Sequence, residues 1–252
     1  FSTEMAAKII GVCVLFALTG TLAKKLPDYV KICRKSNPDF DNCLLGTVES
    51  VRPYLAKGIP QLKVPPIEPL YIPALELNRN LENLQVRAKI NEIKAYGPSS
   101  FIINRLKTNV NKLSAEVSVT LPQLYVTADY DVDGRILIVP LKGRGSFKGN
   151  FTDVKGDVRG SGKIITNKKG VKYVQITNIR AKIDVGDQAV QFFNKDKNTA
   201  AIAESAATFI NQNREQVWQI IKPIIEETAE AFIIQFGNAI LRSVPLSEIL
   251  PE

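Results

Sequence analysis

The sequence predicts an α+β chain in which a curved antiparallel sheet wraps one long C-terminal helix. Apolar and polar residues alternate from about Leu84 to Val185, the period of strands buried on one face. From Asn198 to Leu241 apolar residues recur every three or four positions, the period of an amphipathic helix. Such a helix would span about 66 Å at 1.5 Å per residue, too long to sit on a compact sandwich, so the sheet must run along it.

The 252 residues are 45% hydrophobic and 23% charged, an ordinary globular composition that excludes a collagen-like or disordered chain. Thirty-three Lys and Arg against 25 Asp and Glu give a formal charge of +8, and there is no histidine. That absence removes the usual neutral-pH base, the base of a serine triad and a common zinc ligand. Glu226 and Glu227 are adjacent and so diverge around a helix, which is unsuited to paired-carboxylate chemistry. No enzyme, cofactor or metal centre is expected.

At the N-terminus Met5 is the only methionine, so Phe1 to Glu4 are expected to be an extension outside the fold. Lys8, the apolar run Ile9 to Leu18 and the small residues Thr21 and Ala23 then read as a signal peptide cleaved after Ala23. The uncharged stretch between Lys8 and Lys24 is 15 residues, short of the roughly 20 of a spanning helix. An uncleaved signal anchor is the alternative. Residues 1–23 are thus expected to be extension and leader, and 24–252 a single domain.

Cys13 leaves with that leader, so Cys33 and Cys43 remain as one pair in an oxidising compartment. Asn37-Pro38-Asp39 between them is a turn signal, and a disulfide is expected. Leu44, Leu45, Val48, Val51 and Leu55 then have helical spacing up to Gly58. Five prolines from Pro60 to Pro73 impose an extended linker or an edge segment.

In the sheet region, Val86, Ala88 and Ile90 alternate with Arg87, Lys89 and Asn91, and Ala115, Val117, Val119 and Leu121 alternate with polar neighbours. Asp133-Gly134 and Lys168-Lys169-Gly170 are expected hairpin turns, which make the sheet an antiparallel meander. Gly143, Gly145, Gly149, Gly156, Gly160 and Gly162 match no phosphate loop and are expected at bends and bulges. The C-terminal period allows one helix or two in series, with a kink at Pro223.

Over nearly all of residues 24–252 the chain resembles the insect takeout and juvenile-hormone-binding family, on the takeout-like side. The stretches that carry this are Cys33 to Cys43; Lys57-Gly58-Ile59-Pro60 with Val64-Pro65-Pro66-Ile67-Glu68-Pro69-Leu70; Tyr130-Asp131-Val132-Asp133-Gly134; Gly143-Arg144-Gly145; Phe193-Asn194-Lys195-Asp196; Phe209-Ile210-Asn211 through Lys222-Pro223; and Val244-Pro245-Leu246. The resemblance implies a secreted, monomeric, non-enzymatic carrier of a fatty acid, terpenoid or isoprenoid in haemolymph or another extracellular fluid. It also implies the elongated tubular lipid-binding (TULIP-like) fold with an apolar tunnel. Two departures weigh against juvenile hormone itself: no cysteine follows Cys43, and Val158-Arg159 is followed by Gly160, Ser161 and Gly162 rather than a tyrosine.

Given such a tunnel, the expected lining is Phe209, Trp218, Ile221, Ile225, Phe232 and Phe236 from the helix. The strands would add Phe101, Val117, Val119, Leu121, Leu124, Ile136 and Ile138. For any single one, plain core is the simpler reading. Tyr130 is the expected polar tip, with Tyr125 and Tyr173 as further candidates.

Residues 142–182 hold eleven Lys and Arg against two acids, so the rest of the chain is nearly neutral. Lys155, Arg159 and Lys163 fall on polar alternate positions, which is a solvated outer face or a docking surface for an anionic membrane or an acidic receptor. Nucleic acid is not expected. Asn150-Phe151-Thr152 is a glycosylation sequon that needs Asn150 exposed.

Overall fold

The computed structural model describes residues 26–252. The expected leader and its cleavage site lie outside the described residues. The elements are α1 (Phe40–Leu55), β1 (Leu70–Leu81), β2 (Leu84–Tyr96), β3 (Ile102–Asn109), β4 (Ser114–Ile136), β5 (Val139–Thr166), β6 (Lys172–Asp184), β7 (Asp187–Asn194), α2 (Lys197–Gln212), α3 (Arg214–Leu241) and α4 (Leu246–Ile249).

All seven strands join one antiparallel sheet in the order β1-β2-β4-β5-β6. The 23-residue β4 and 28-residue β5 are its spine. The C-terminal half of β4 pairs with β2 and its N-terminal half with β3. The first half of β5 pairs with β7 and the second with β6. The segment expected to be extended is so only in part: Pro60–Leu62 forms a 3-10 turn, and its last residues from Leu70 enter β1, an edge strand with Pro73 omitted from its pairing, which is where proline is tolerated in a sheet.

One expected turn is corrected. Asp133 and Gly134 lie inside β4, opposite Lys142 and Leu141, and the chain reverses at Leu137-Ile138. The glycine answers to a close approach of β2, since a Cβ at Gly134 would stand 2.1 Å from the Gln85 carbonyl oxygen. The other turn falls as expected: the Asn167 side chain accepts from the Lys169 and Val171 amides, at 2.8 and 3.0 Å.

The free edges of the sheet are covered by helices, which removes the hazard of unpaired strand groups. Along α3, Glu226 accepts from the Ile183 amide (3.0 Å) and Glu230 from the Ala181 amide (2.9 Å). Asn238 brackets the backbone of Ile176, accepting from its amide (2.8 Å) and donating to its carbonyl (3.1 Å). Asn211 of α2 treats Val190 of β7 in the same way. On its other side α3 meets β1 through Arg79 and Glu227 at 2.8 Å. One helix thus bridges the two ends of the strand order, β1 and β6, and closes the curl.

The C-terminal helical run is two helices in series. The break is at Asn213 (φ −114, ψ 39), while α3 continues through Pro223. The Asn213 side chain donates to the Phe209 carbonyl (2.9 Å) and so satisfies the last turn of α2. At the hairpin end, Val217 and Ile224 pack with Leu84, Val86 and Ile136 into a buried cluster, joined by Phe209, Ile210 and Ile221.

The Cys33–Cys43 disulfide is formed, with Cα atoms 5.9 Å apart. It closes a short loop and stabilises by roughly 2–3 kcal/mol in the chain-entropy picture. Asp41 of α1 accepts from the Thr108 amide (3.0 Å) and hydroxyl, fastening this helix to β3.

Glu68 fixes the proline-rich segment to the β2–β3 connection. Burial pushes its carboxyl up, but hydrogen bonds from the Gly97 amide, the Ser99 hydroxyl and the Ser99 amide outweigh this and hold it below the ordinary value. A lowered folded pKa gives stability that is present above the unfolded carboxylate value and is lost as pH falls through the folded one. Acid unfolding of Glu68→Gln is therefore expected to lack a component below about pH 4.5 that the parent shows; identical acid limbs would show that the carboxylate makes no such contribution.

Candidate ligand-binding site

In β4 the inward residues are Val117, Val119 and Leu121 in the first half, then Leu124, Val126, Ala128 and Tyr130. The alternation breaks at Pro122-Gln123, both exposed, opposite Asp153 with its φ of 49. Across the sheet this row continues through Leu106 of β3, Val154 and Val158 of β5, and Ile179 and Ala181 of β6. The two halves differ in packing. Near the β4–β5 turn the inward side chains are buried, as with Ile136 at 2% exposed. In the other half Leu106, Val117, Val119 and Leu121 on β3 and β4 are only half-buried, while Val154, Ile179 and Ala181 on β5 and β6 are buried. An apolar face left half-open borders unfilled space, because close-packed cores bury such side chains almost fully.

An apolar void of about 210 Å³ lies where the N-terminal segment, α1 and the chain end meet. Its walls come from the N-terminal segment (Leu26, Val30, Ile32), α1 (Phe40, Leu44) and the chain end (Ile240, Leu241, Val244, Ile249). Phe232, Phe236 and Ile240 stand at successive i+4 positions of α3, the first two with ring centroids 4.1 Å apart. Of this stripe, Ile240 lines the void and the two phenylalanines precede it on the same helix face. Cys33 lines the void too, so the disulfide pins part of its wall.

The expected lining residues separate accordingly. Val117, Val119, Leu121, Leu124, Phe232 and Phe236 are half-buried, and none of them walls the void. Ile136, Phe209 and Ile221 belong to the packed cluster at the other end. Ile138 tips the β4–β5 hairpin at 88% exposed and Ile225 is 42% exposed, so both are withdrawn from the lining. Phe101 lies under the Arg52 guanidinium of α1, 3.9 Å from the ring centroid, in the seam between α1 and the sheet.

Tyr130 donates its hydroxyl to Asn194 and meets Phe192 edge-on at 5.6 Å. Its polar tip is already engaged, and burial pushes its pKa up. Tyr125 is exposed and Tyr173 half-buried. Trp218 is buried, but one turn to either side Arg214 and Lys222 pair with Asp187 and Asp184, at the two ends of the β6–β7 connection. The indole therefore lies against that connection, and its N–H is buried without a partner. Trp218→Phe removes part of a buried ring system together with an unpaired donor, so it is expected to cost the cavity energy of about 1–2 kcal/mol and nothing for a lost hydrogen bond. A loss several times larger in urea unfolding would reveal a partner for the N–H.

The void walls were missed in the sequence because they come from four separated segments, the N-terminal stretch, α1, Leu62 and the chain end, and no local period signals that they meet. The pairing of Glu226 and Glu230 with strand amides carries no local signal either. On the outer sheet face cations and acids interleave across strands, as with Arg144 and Asp131 at 2.8 Å. Asn150 is exposed there, as its sequon requires. Among the described residues no cluster of acidic or cysteine side chains has metal-binding geometry.

The family model described as haemolymph juvenile hormone binding protein (JHBP) matches residues 11–251. The circadian clock-controlled protein daywake of Drosophila melanogaster is 22% identical over 233 residues, covering 90% of this chain and 88% of that one. A putative beta-carotene-binding protein of Schistocerca gregaria is 23% identical over 225 residues, covering 88% of each. Among solved structures, Takeout 1 of Epiphyas postvittana superposes with a TM-score of 0.69 at 24% identity, over 88% of this chain and all of that one. The tubular fold, a curled antiparallel sheet closed by C-terminal helices, is shared.

Proposed function

The chain belongs to the haemolymph juvenile hormone binding protein family, and from that premise we propose that it is a secreted carrier of a long apolar small molecule. The ligand lies between the half-open sheet face and α3, with one end in the terminal void. What supports this is the half-buried apolar row Val117, Val119 and Leu121 on the sheet together with the apolar void that Ile240 helps to wall. The void's roughly 210 Å³ falls below the ~300–1,000 Å³ of sites that enclose a whole ligand. It suits one end of a chain whose remainder runs along the sheet. The Schistocerca relative's name supports a long, apolar ligand class. Binding rather than catalysis also accords with a chain that has no histidine.

Head-group discrimination is weak in this reading. Gly160 stands inward between Ala115 and Ile179, a row with no side-chain donor, and Tyr130 is engaged elsewhere. Each added methylene contributes about 0.8 kcal/mol until the path is full. Affinity across a fatty-acid series is expected to rise with chain length and then level off, with juvenile hormone no tighter than a fatty alcohol of similar size. A hundredfold preference for the hormone, about 2.7 kcal/mol, would require a polar anchor that this path lacks.

A further inference from the structure

Exposed cations without an ion pair occur at several places on the sheet, as at Arg87 and Lys107, but they cluster in the longest acid-free stretch of the chain. Between Asp157 and Asp184 the chain carries seven Lys and Arg and no acid. Arg159 faces Glu116, Arg180 faces Glu230 and Lys182 faces Glu226. The other four, Lys163, Lys168, Lys169 and Lys172, are exposed and form no ion pair among the described residues. All four lie on the β5–β6 hairpin and its tip.

The fold sets that tip beside the terminal void. α3 runs antiparallel to β6, with Glu226 at Ile183, Glu230 at Ala181 and Asn238 at Ile176. The start of β6 therefore lies at the C-terminal end of α3, where Ile240, Leu241 and Ile249 wall the void. α4, which contains Ile249, packs on β6. The inward row of β5 ends there at Ile164, 49% exposed, and Ile32 of the void wall is exposed to the same degree. Cations around exposed aliphatic side chains at the mouth of an apolar path match an anionic lipid surface, whose charge attracts lysine and whose acyl region accepts isoleucine.

We propose that this end docks on anionic bilayers and that ligand passes between membrane and protein there by contact. The inference rests on the carrier reading, so docking and transfer are measured separately. Docking is read by co-sedimentation of unloaded protein with phosphatidylcholine vesicles, with or without roughly a third phosphatidylserine. Binding is expected only to the anionic vesicles and is expected to vanish at high salt. K168E/K169E should weaken it at least about tenfold, since each lysine at such a surface is worth about fivefold. The same charge change at the opposite end, K195E/K197E, should matter far less.

Transfer is read with protein loaded with a fluorescent fatty acid. Its rate is expected to rise with anionic vesicle concentration and to fall in K168E/K169E, with equilibrium affinity for the probe unchanged. Absence of co-sedimentation at low salt, equal loss in both variants, or binding to an acidic protein without binding to vesicles would each overturn the proposal. Failure to bind the probe while docking persists would count against the carrier reading alone.

Discussion

Val119→Trp is expected to lower affinity for a long fatty acid at least tenfold, about 1.4 kcal/mol, and to leave the fold as stable as the parent within about 1 kcal/mol. Val119 is inward and half-buried in the middle of β4. Opposite it is Gly156, where an added Cβ would come within 3.3 Å of the valine side chain. The row runs Ile103–Val119–Gly156–Ile183, and the glycine leaves the place beside the valine without a side chain of its own. In a filled core such an enlargement costs typically 1–3 kcal/mol, whereas over open space the indole occupies volume that ligand would take. Titration with a fluorescent fatty acid and urea unfolding of the same variant separate the two cases. Unchanged affinity with lost stability would mean that the row is ordinary core.

Glu226→Leu is expected to destabilise by about 2 kcal/mol, from the range for a buried amide left without its acceptor. The Glu226 side chain is 10% exposed and takes the Ile183 amide at 3.0 Å and Lys182 at 3.2 Å. Lys182 is 74% exposed, so the ion pair itself contributes little. Glu226→Gln keeps an acceptor for the amide and should therefore cost less than half as much. Urea midpoints for the two variants give the comparison. Equal losses would assign the effect to charge rather than to the strand edge.

This role shows where sequence reading reaches and where it stops. Alternation of period two located β2 and β4 through β6, because a sheet with one apolar face must repeat every second residue. It did not locate β1, which contains Pro73 and directly follows a proline-rich stretch, or the turn at Leu137-Ile138, which contains neither glycine nor proline. Asp133-Gly134 misled because glycine is selected by close backbone approach as well as by turns. For the helices the period gave position and face, while the break at Asn213 depends on hydrogen bonds to Phe209 and on Asn211 serving β7. Within the site, Val117, Val119 and Leu121 were legible as inward, but not as half-open. Filling depends on what lies across the tube, and the void joins residues from both ends of the chain. The disulfide was legible from count alone once Cys13 was assigned to the leader.

Native mass spectrometry of the protein, before and after organic extraction, measures most directly whether the tube holds an apolar ligand. The account predicts one lipid-like molecule per chain as purified, released by extraction and restored by a single equivalent of long-chain fatty acid. A chain that carries nothing as purified and takes up fatty acid without saturation would contradict it.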